Sequence, residues 1–175
     1  MKLFVSKIDR RAQRTRDALR SAFVQLVLSR GYDVVSIGDI CNTANVGRST
    51  FYSHYKSKQN LLEESLQGPS GGLAACVAAD ATPQGLLPLL AHFREQKRVN
   101  RVFFETPIRG IWVRTLACVI EARLPRGSRS GLKALLVAEL QIALLTHWLS
   151  GKFSLQPEAV AAMLITNTQT LLANK

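Results

Sequence analysis

The run from Ser36 to Leu62, SIGDICNTANVGRSTFYSHYKSKQNLL, constrains this chain more than any other stretch. Its spacing predicts two short helices joined by a tight turn. Ser36 is a good N-cap, and Asp39 three residues later approximates a capping box, although Glu or Gln is commoner there. Val35 and Ile40 occupy the two positions of a hydrophobic staple, and Val46 with Phe51 repeats that geometry at the second helix. Between the helices, Asn45 tolerates the left-handed conformation a tight turn needs. Gly47 is an acceptable cap for the second helix. Phe51 and Tyr55, four apart, are expected to face inward, leaving Arg48, Ser49, Tyr52 and His54 outward or sideways.

Other helices flank this pair. Leu19, Ala22, Phe23, Leu26 and Val27 recur at spacings of three and four from about Arg16 onward, and Arg30 with Gly31 marks the end. The charge-rich residues 1–14 read as a mobile arm. Lys58 opens a further helix carrying Leu61, Leu62 and Leu66. Gly68-Pro69-Ser70-Gly71-Gly72 reads as a break, which sets the domain boundaries at 1–67 and 73–175. Beyond it, apolar residues at helical spacing run from Leu86 to Phe104, from Pro107 to about Leu124, from Gly131 to Leu149 and onward from Pro157. With no alternating strand pattern and no internal repeat, the chain reads as all-α.

The chain has 175 residues and a formal charge of +11, which favours polyanions as partners. Cys41, Cys76 and Cys118 are widely spaced and form no CxxC pair, so reduced thiols are the simpler reading than disulfides or zinc. The apolar stretch Ala134 to Leu149 is interrupted by Glu139, Gln141 and His147, as expected of a buried helix and not of a membrane span. Only Leu3, Phe4 and Val5 precede the first charges after Lys2, too few for a signal-peptide core. A cytoplasmic location is therefore expected. His92 and His147 lack nearby carboxylate partners, so no metal is expected, and no cofactor either. No GxSxG, P-loop, GxGxxG or HExxH motif supports an enzyme.

The chemistry of the helix pair suits double-stranded DNA. An α-helix fits the major groove, with its N-terminal residues reaching base edges. Arg48 can read guanine through a bidentate contact, and Ser49 and Thr50 can meet bases or phosphates. Ser36 and the first turn of its helix can present backbone N–H groups to a phosphate. Arg10, Arg11, Arg14 and Arg16 can reach the backbone or the minor groove from the arm. Plainer readings stand beside these: Tyr52 packed on the first helix, His54 as a surface imidazole, Arg48 as a solvated charge, and the arm as a solubilising tail.

Gly31-Tyr32, Ser36-Ile37, Asp39-Ile40, Ala44-Asn45-Val46, Ser49-Thr50-Phe51-Tyr52, His54-Tyr55 and Lys58 with Leu61-Leu62 resemble, in register, the N-terminal pattern of the TetR (tetracycline-repressor) family of transcriptional regulators. Cys41, Asn45 and Gly47 depart from it where Ala, Gly and a Ser cap are usual. The resemblance spans about residues 15–65. It implies an N-terminal three-helix DNA-binding domain with a helix-turn-helix, followed by a C-terminal helical domain for ligand binding and dimerisation. Tyr52, His54 and Lys58 look like that family's phosphate-gripping residues, which fix register without reading sequence.

Further on, Ala143-Leu144-Leu145-Thr146-His147-Trp148-Leu149 followed by Pro157-Glu158 looks like the closing helix pair of one TetR subgroup, which implies a homodimer. Leu132, Leu135, Leu136, Leu140, Ile142, Ala143 and Leu145 cover more than one helix face, in keeping with a partner helix; a central core helix of a monomer is the alternative. The family also implies a small-molecule effector, for which Phe93, Phe103, Phe104, Trp112, Leu116 and Trp148 are candidate contacts. At helical spacing the same residues also suit a plain core. Arg94, Lys97, Arg98 and Arg101 form a basic stripe at helical spacing, either a solvated face or a site for an acidic partner. The expected function is a homodimeric repressor of a palindromic operator, released by an effector. The alternative is a DNA-binding adaptor whose second domain only dimerises.

Overall fold

The computed structural model describes residues 2–95, 107–125 and 130–173, with side chains from Arg10 onward. Among these residues there are eight α-helices, one short 3-10 helix and no strand. The chain divides into two compact units, 1–65 and 66–175.

Unit one holds α1 (Lys2–Arg30), α2 (Ile37–Thr43), α3 (Arg48–His54) and the start of α4 (Lys58–Leu73). α1 ends at Gly31, whose φ of 85° is open to glycine and strained for other residues. Leu19, Phe23 and Val27 from α1 are sealed from solvent, as are Ile40, Phe51, Leu61 and Leu62 from the next three helices. A mobile arm over residues 1–14 is not what the structure has: α1 runs back to Lys2 as one continuous helix. Nothing from Lys2 to Arg16 is a Gly or Pro, so no residue there breaks the helix that the later apolar spacing announces.

The Gly68–Gly72 break is also corrected. α4 continues through it to Leu73, with Pro69 inside the helix. Gly72 serves close packing here: a Cβ there would lie 2.8 Å from Leu89 Cδ2. The missing side chain at Gly72 lets the backbone approach Leu89, and that contact outweighs the poor helix propensity of glycine.

Unit two adds a 3-10 turn (Ala74–Val77), α5 (Pro83–Glu95), α6 (Ile108–Glu121), α7 (Ser130–Leu149) and α8 (Pro157–Ala173). α6 packs on α7, and both α5 and α7 pack on α8. α7 is long and apolar enough to cross a membrane by length and composition, yet Ala134, Val137, Ala138, Gln141, Ile142, Leu145 and Trp148 are buried in this unit. Its end is sealed by a double hydrogen bond, Gly151 N–H to Trp148 O at 3.1 Å and Lys152 N–H to His147 O at 3.1 Å, around the positive φ of Gly151.

Candidate nucleic-acid interface

The two-helix element is built by its caps. Ser36 Oγ accepts from Asp39 N–H at 3.1 Å, while the Asp39 carboxylate accepts from Ser36 N–H at 2.9 Å, closing a reciprocal capping box. These hydrogen bonds favour the ionised carboxylate: the Ser36 hydroxyl first and the Ser36 amide second hold Asp39 below the usual carboxylate range. Arg30 adds an ion-pair contact at 3.7 Å. Asp rather than Glu therefore suffices at this position.

The turn takes the form the sequence suggests. Asn45 has a φ of 54°, and two bonds close the end of α2: Asn45 N–H to Asn42 O at 3.2 Å and Val46 N–H to Cys41 O at 3.0 Å. Gly47 caps α3 with extended backbone and no side-chain bond.

α3 then sorts its side chains. Phe51 is fully buried, and its ring lies 5.7 Å from that of Tyr55. Tyr55 is buried too, and its hydroxyl donates to Glu64 Oε1 at 3.0 Å. Burial, then the bond to Glu64, pushes the Tyr55 phenol well above its ordinary range; Arg16 and Arg20 lie close enough to oppose that rise. On the other side, Arg48, Ser49 and Tyr52 are exposed, with Thr50 and His54 half-buried. Tyr52 is 58% exposed despite an edge-on contact with the Phe51 ring, so it does not pack into the first helix. Ser36 is exposed at the start of α2.

Three placements differ from what the spacing suggests. Arg48 lies back across α2: a Cβ at Gly38 would stand 2.9 Å from Arg48 Nη2. Gly38 is thus a site residue that sequence reasoning missed, although a glycine inside a seven-residue helix is itself a hint of close approach. Arg14 and Arg16 are both exposed on α1, but two residues apart they point to different faces, and Arg16 is the one near Tyr55.

Lys58 departs furthest. Its ammonium donates to Tyr32 O at 2.7 Å and Val35 O at 2.8 Å, and sits 4.3 Å from the centroid of the Tyr32 ring. Burial lowers its pKa, against a smaller upward pull from Asp33. Tyr32 is the second missed residue, and only its place in the Gly31-Tyr32 pair marked it.

In unit two, Phe93, Trp112, Leu116 and Trp148 are buried. Phe93 and Trp112 meet nearly edge to face at 5.8 Å. The Trp148 indole donates to Leu155 O at 2.9 Å and so ties the loop before α8 to the end of α7. Phe103 and Phe104 lie outside the described residues, as do Lys97, Arg98 and Arg101. Arg94 is exposed in the last turn of α5.

Residues 19–65 match the family described as bacterial regulatory proteins, tetR family. Over 62 residues the chain is 42% identical to an uncharacterized HTH-type transcriptional regulator, YxbF, of Bacillus subtilis, covering 35% of this chain and 16% of that protein. Over 48 residues it is 35% identical to DhaS of Lactococcus lactis, the HTH-type dhaKLM operon transcriptional activator, covering 27% of this chain and 26% of that one. The chain thus matches about a quarter or less of the length of these relatives. Its fold is similar to that of a TetR-family regulator from Streptomyces coelicolor, with a TM-score of 0.69 and 19% identity over 93% of this chain and 96% of that one. Residues 19–65 thus carry the helix-turn-helix unit described for bacterial regulatory proteins of the tetR family, and the chain as a whole is similar in its all-helical fold to a solved regulator of that family.

Proposed function

We propose that the protein is a DNA-binding transcriptional regulator that acts in the cytoplasm as a homodimeric repressor of a palindromic operator and is released by a small-molecule effector. The observation that carries this reading is the sorting of α3. Phe51 is buried beneath it with Tyr55 just beyond, while Arg48, Ser49 and Tyr52 stand exposed on a helix that opens toward solvent. Arg48 reads a base edge after swinging off Gly38; Ser49 and Thr50 complete the reading edge. Tyr52 and His54 grip phosphates, and Ser36 and Arg14 flank the groove. The net charge of +11 supplies the non-specific attraction. DhaS is described as an activator, and activation begins with the same DNA-binding step.

Exposed apolar side chains support the dimer. Leu132, Leu135 and Leu136 stand on one side of α7 at 58%, 40% and 48% exposure, and Met163 on α8 at 39%. Two copies joined there would carry two recognition helices, one for each half-site of a palindrome, and such half-sites lie about 34 Å apart, one turn of duplex. A second reading, in which unit two only dimerises, draws support from the placement of Phe93, Trp112, Leu116 and Trp148 in the core.

Selecting bound sequences from a random DNA pool tests the function. A palindromic consensus is expected, with Arg48→Ala relaxing one base position by about 1–3 kcal/mol of discrimination. Equal affinity for the selected and scrambled duplexes would sink the reading.

A further inference from the structure

Lys58 occupies a position where a phosphate contact is expected, yet its donors point inward. An ammonium has three N–H groups. Two are committed to Tyr32 O and Val35 O. No backbone N–H among the described residues donates to either carbonyl by ordinary hydrogen-bond geometry. Without Lys58, two half-buried acceptors lose their partner.

The consequence reaches the reading head through one peptide unit. Between Val35 and Ser36, the carbonyl is held by Lys58 and the N–H by the Asp39 carboxylate. That peptide sets where α2 begins, and α3 follows α2 through the closed turn at Asn45. On the other side, the Tyr32 ring meets Phe23 of α1 edge-on at 6.3 Å, so the ammonium joins the start of α4 to α1 as well.

We propose that Lys58 is a positioning residue of the DNA-reading unit and not a phosphate contact: by bridging the Tyr32 and Val35 carbonyls it fixes the start of α2, and with it the stand of α3. This rests on the operator-binding reading given above. Removing a phosphate contact lowers the steepness of salt dependence by about 0.9. Removing a positioning tie leaves that slope alone and instead erodes the preference for the operator.

The test compares wild type with Lys58→Met, which keeps the stem without donors, on the selected operator and on a scrambled duplex across a salt series. Expected are a loss of operator affinity of about tenfold, a reduced operator-to-scrambled ratio and an unchanged slope. Faster amide exchange at Ser36 and Asp39 is expected in the free protein. A slope shallower by about 0.9 with the ratio intact makes Lys58 a phosphate contact and overturns the proposal. Affinity, ratio and slope all at wild-type values, with only thermal stability lowered, overturn it equally. Should Lys58→Met not fold, Lys58→Gln makes the same comparison: it removes the charge and cannot reproduce the ammonium's geometry, so a shallower slope with the operator-to-scrambled ratio intact rejects the tie. If wild type prefers no sequence, the operator reading fails as a whole. Exchange at Ser36 then decides alone whether Lys58 sets this turn.

Discussion

Gln141 donates through its side-chain amide to Thr168 Oγ1 at 2.9 Å, joining α7 to α8 with both residues sealed from solvent. The same amide donates to Leu73 O at 3.3 Å. Gln141 Oε1 accepts nothing among the described residues, nor does the buried Ser70 Oγ have a partner there. This small polar island in an apolar core holds three elements in register, but it is only partly satisfied. Thr168→Val is therefore expected to cost about 1–3 kcal/mol, because it strips a buried donor of one acceptor. Gln141→Leu combined with Thr168→Val is expected to cost less than the two single changes summed, since the second change no longer strands a partner. Urea denaturation of the four proteins checks this, and additive costs would show that the bond does not couple the helices.

The Ser36–Asp39 capping box makes the stability of unit one depend on acid. Asp39 has its pKa lowered on folding, chiefly by the Ser36 hydroxyl and amide. A lowered carboxylate pKa gives stability that is fully present above the unfolded value near about 3.9. That contribution is lost as pH falls through the folded value. Thermal melts from about pH 6 downward, sampled closely between about 5 and about 2, should show a decline that Asp39→Asn flattens. An identical decline in Asp39→Asn would assign the acid sensitivity to other carboxylates.

Asn45 carries the only positive φ among the described non-glycine residues, at 54°. The left-handed region costs an ordinary L-residue about 1–2 kcal/mol. Asn45→Val, branched at Cβ, should therefore lower stability by about that amount, whereas Asn45→Gly should keep or raise it. Circular-dichroism melts of the two variants test the pair, and a Val variant as stable as wild type would mean that the turn has relaxed into another form.

These local devices explain what the sequence made readable. The capping box, the Asn45 turn, the Gly31 stop and the inward pair Phe51 and Tyr55 each depend on residues within five positions of one another, and all are found where their spacing puts them. What escaped reading is set by distance along the chain. Gly72 stays helical because of Leu89, seventeen residues on, and a glycine-rich string alone reads as a loop. Lys58 turns inward because Tyr32 and Val35 offer carbonyls from more than twenty residues earlier. Arg48 rests on Gly38 across the turn. In each case a partner brought near by folding outweighs the preference of the local segment.

Arg109 and Glu139 form an ion pair between α6 and α7, with both side chains partly exposed. Solvent and salt weaken such a pair to about 0–1 kcal/mol. Arg109→Met should therefore leave the melting temperature nearly unchanged and reduce its sensitivity to salt. A loss of several degrees would show that the methylene stem, and not the charge, holds these helices together.

The exposed leucines of α7 yield the prediction with the widest reach. Leu132 and Leu136 are four apart and Leu135 lies beside them, so they share one side of a helix whose other side is already buried. Apolar side chains grouped in this way mark a contact surface more often than they mark chance exposure. Leu136→Glu would place a charge where a second copy packs, and burying it unpaired is far costlier than leaving it in water. The variant should fold with its helix content intact but sediment at half the wild-type mass. Its operator affinity should fall as well, because each half-site would then be bound singly. If wild type already sediments as a monomer, or the variant remains a dimer, the α7 face does not join two copies.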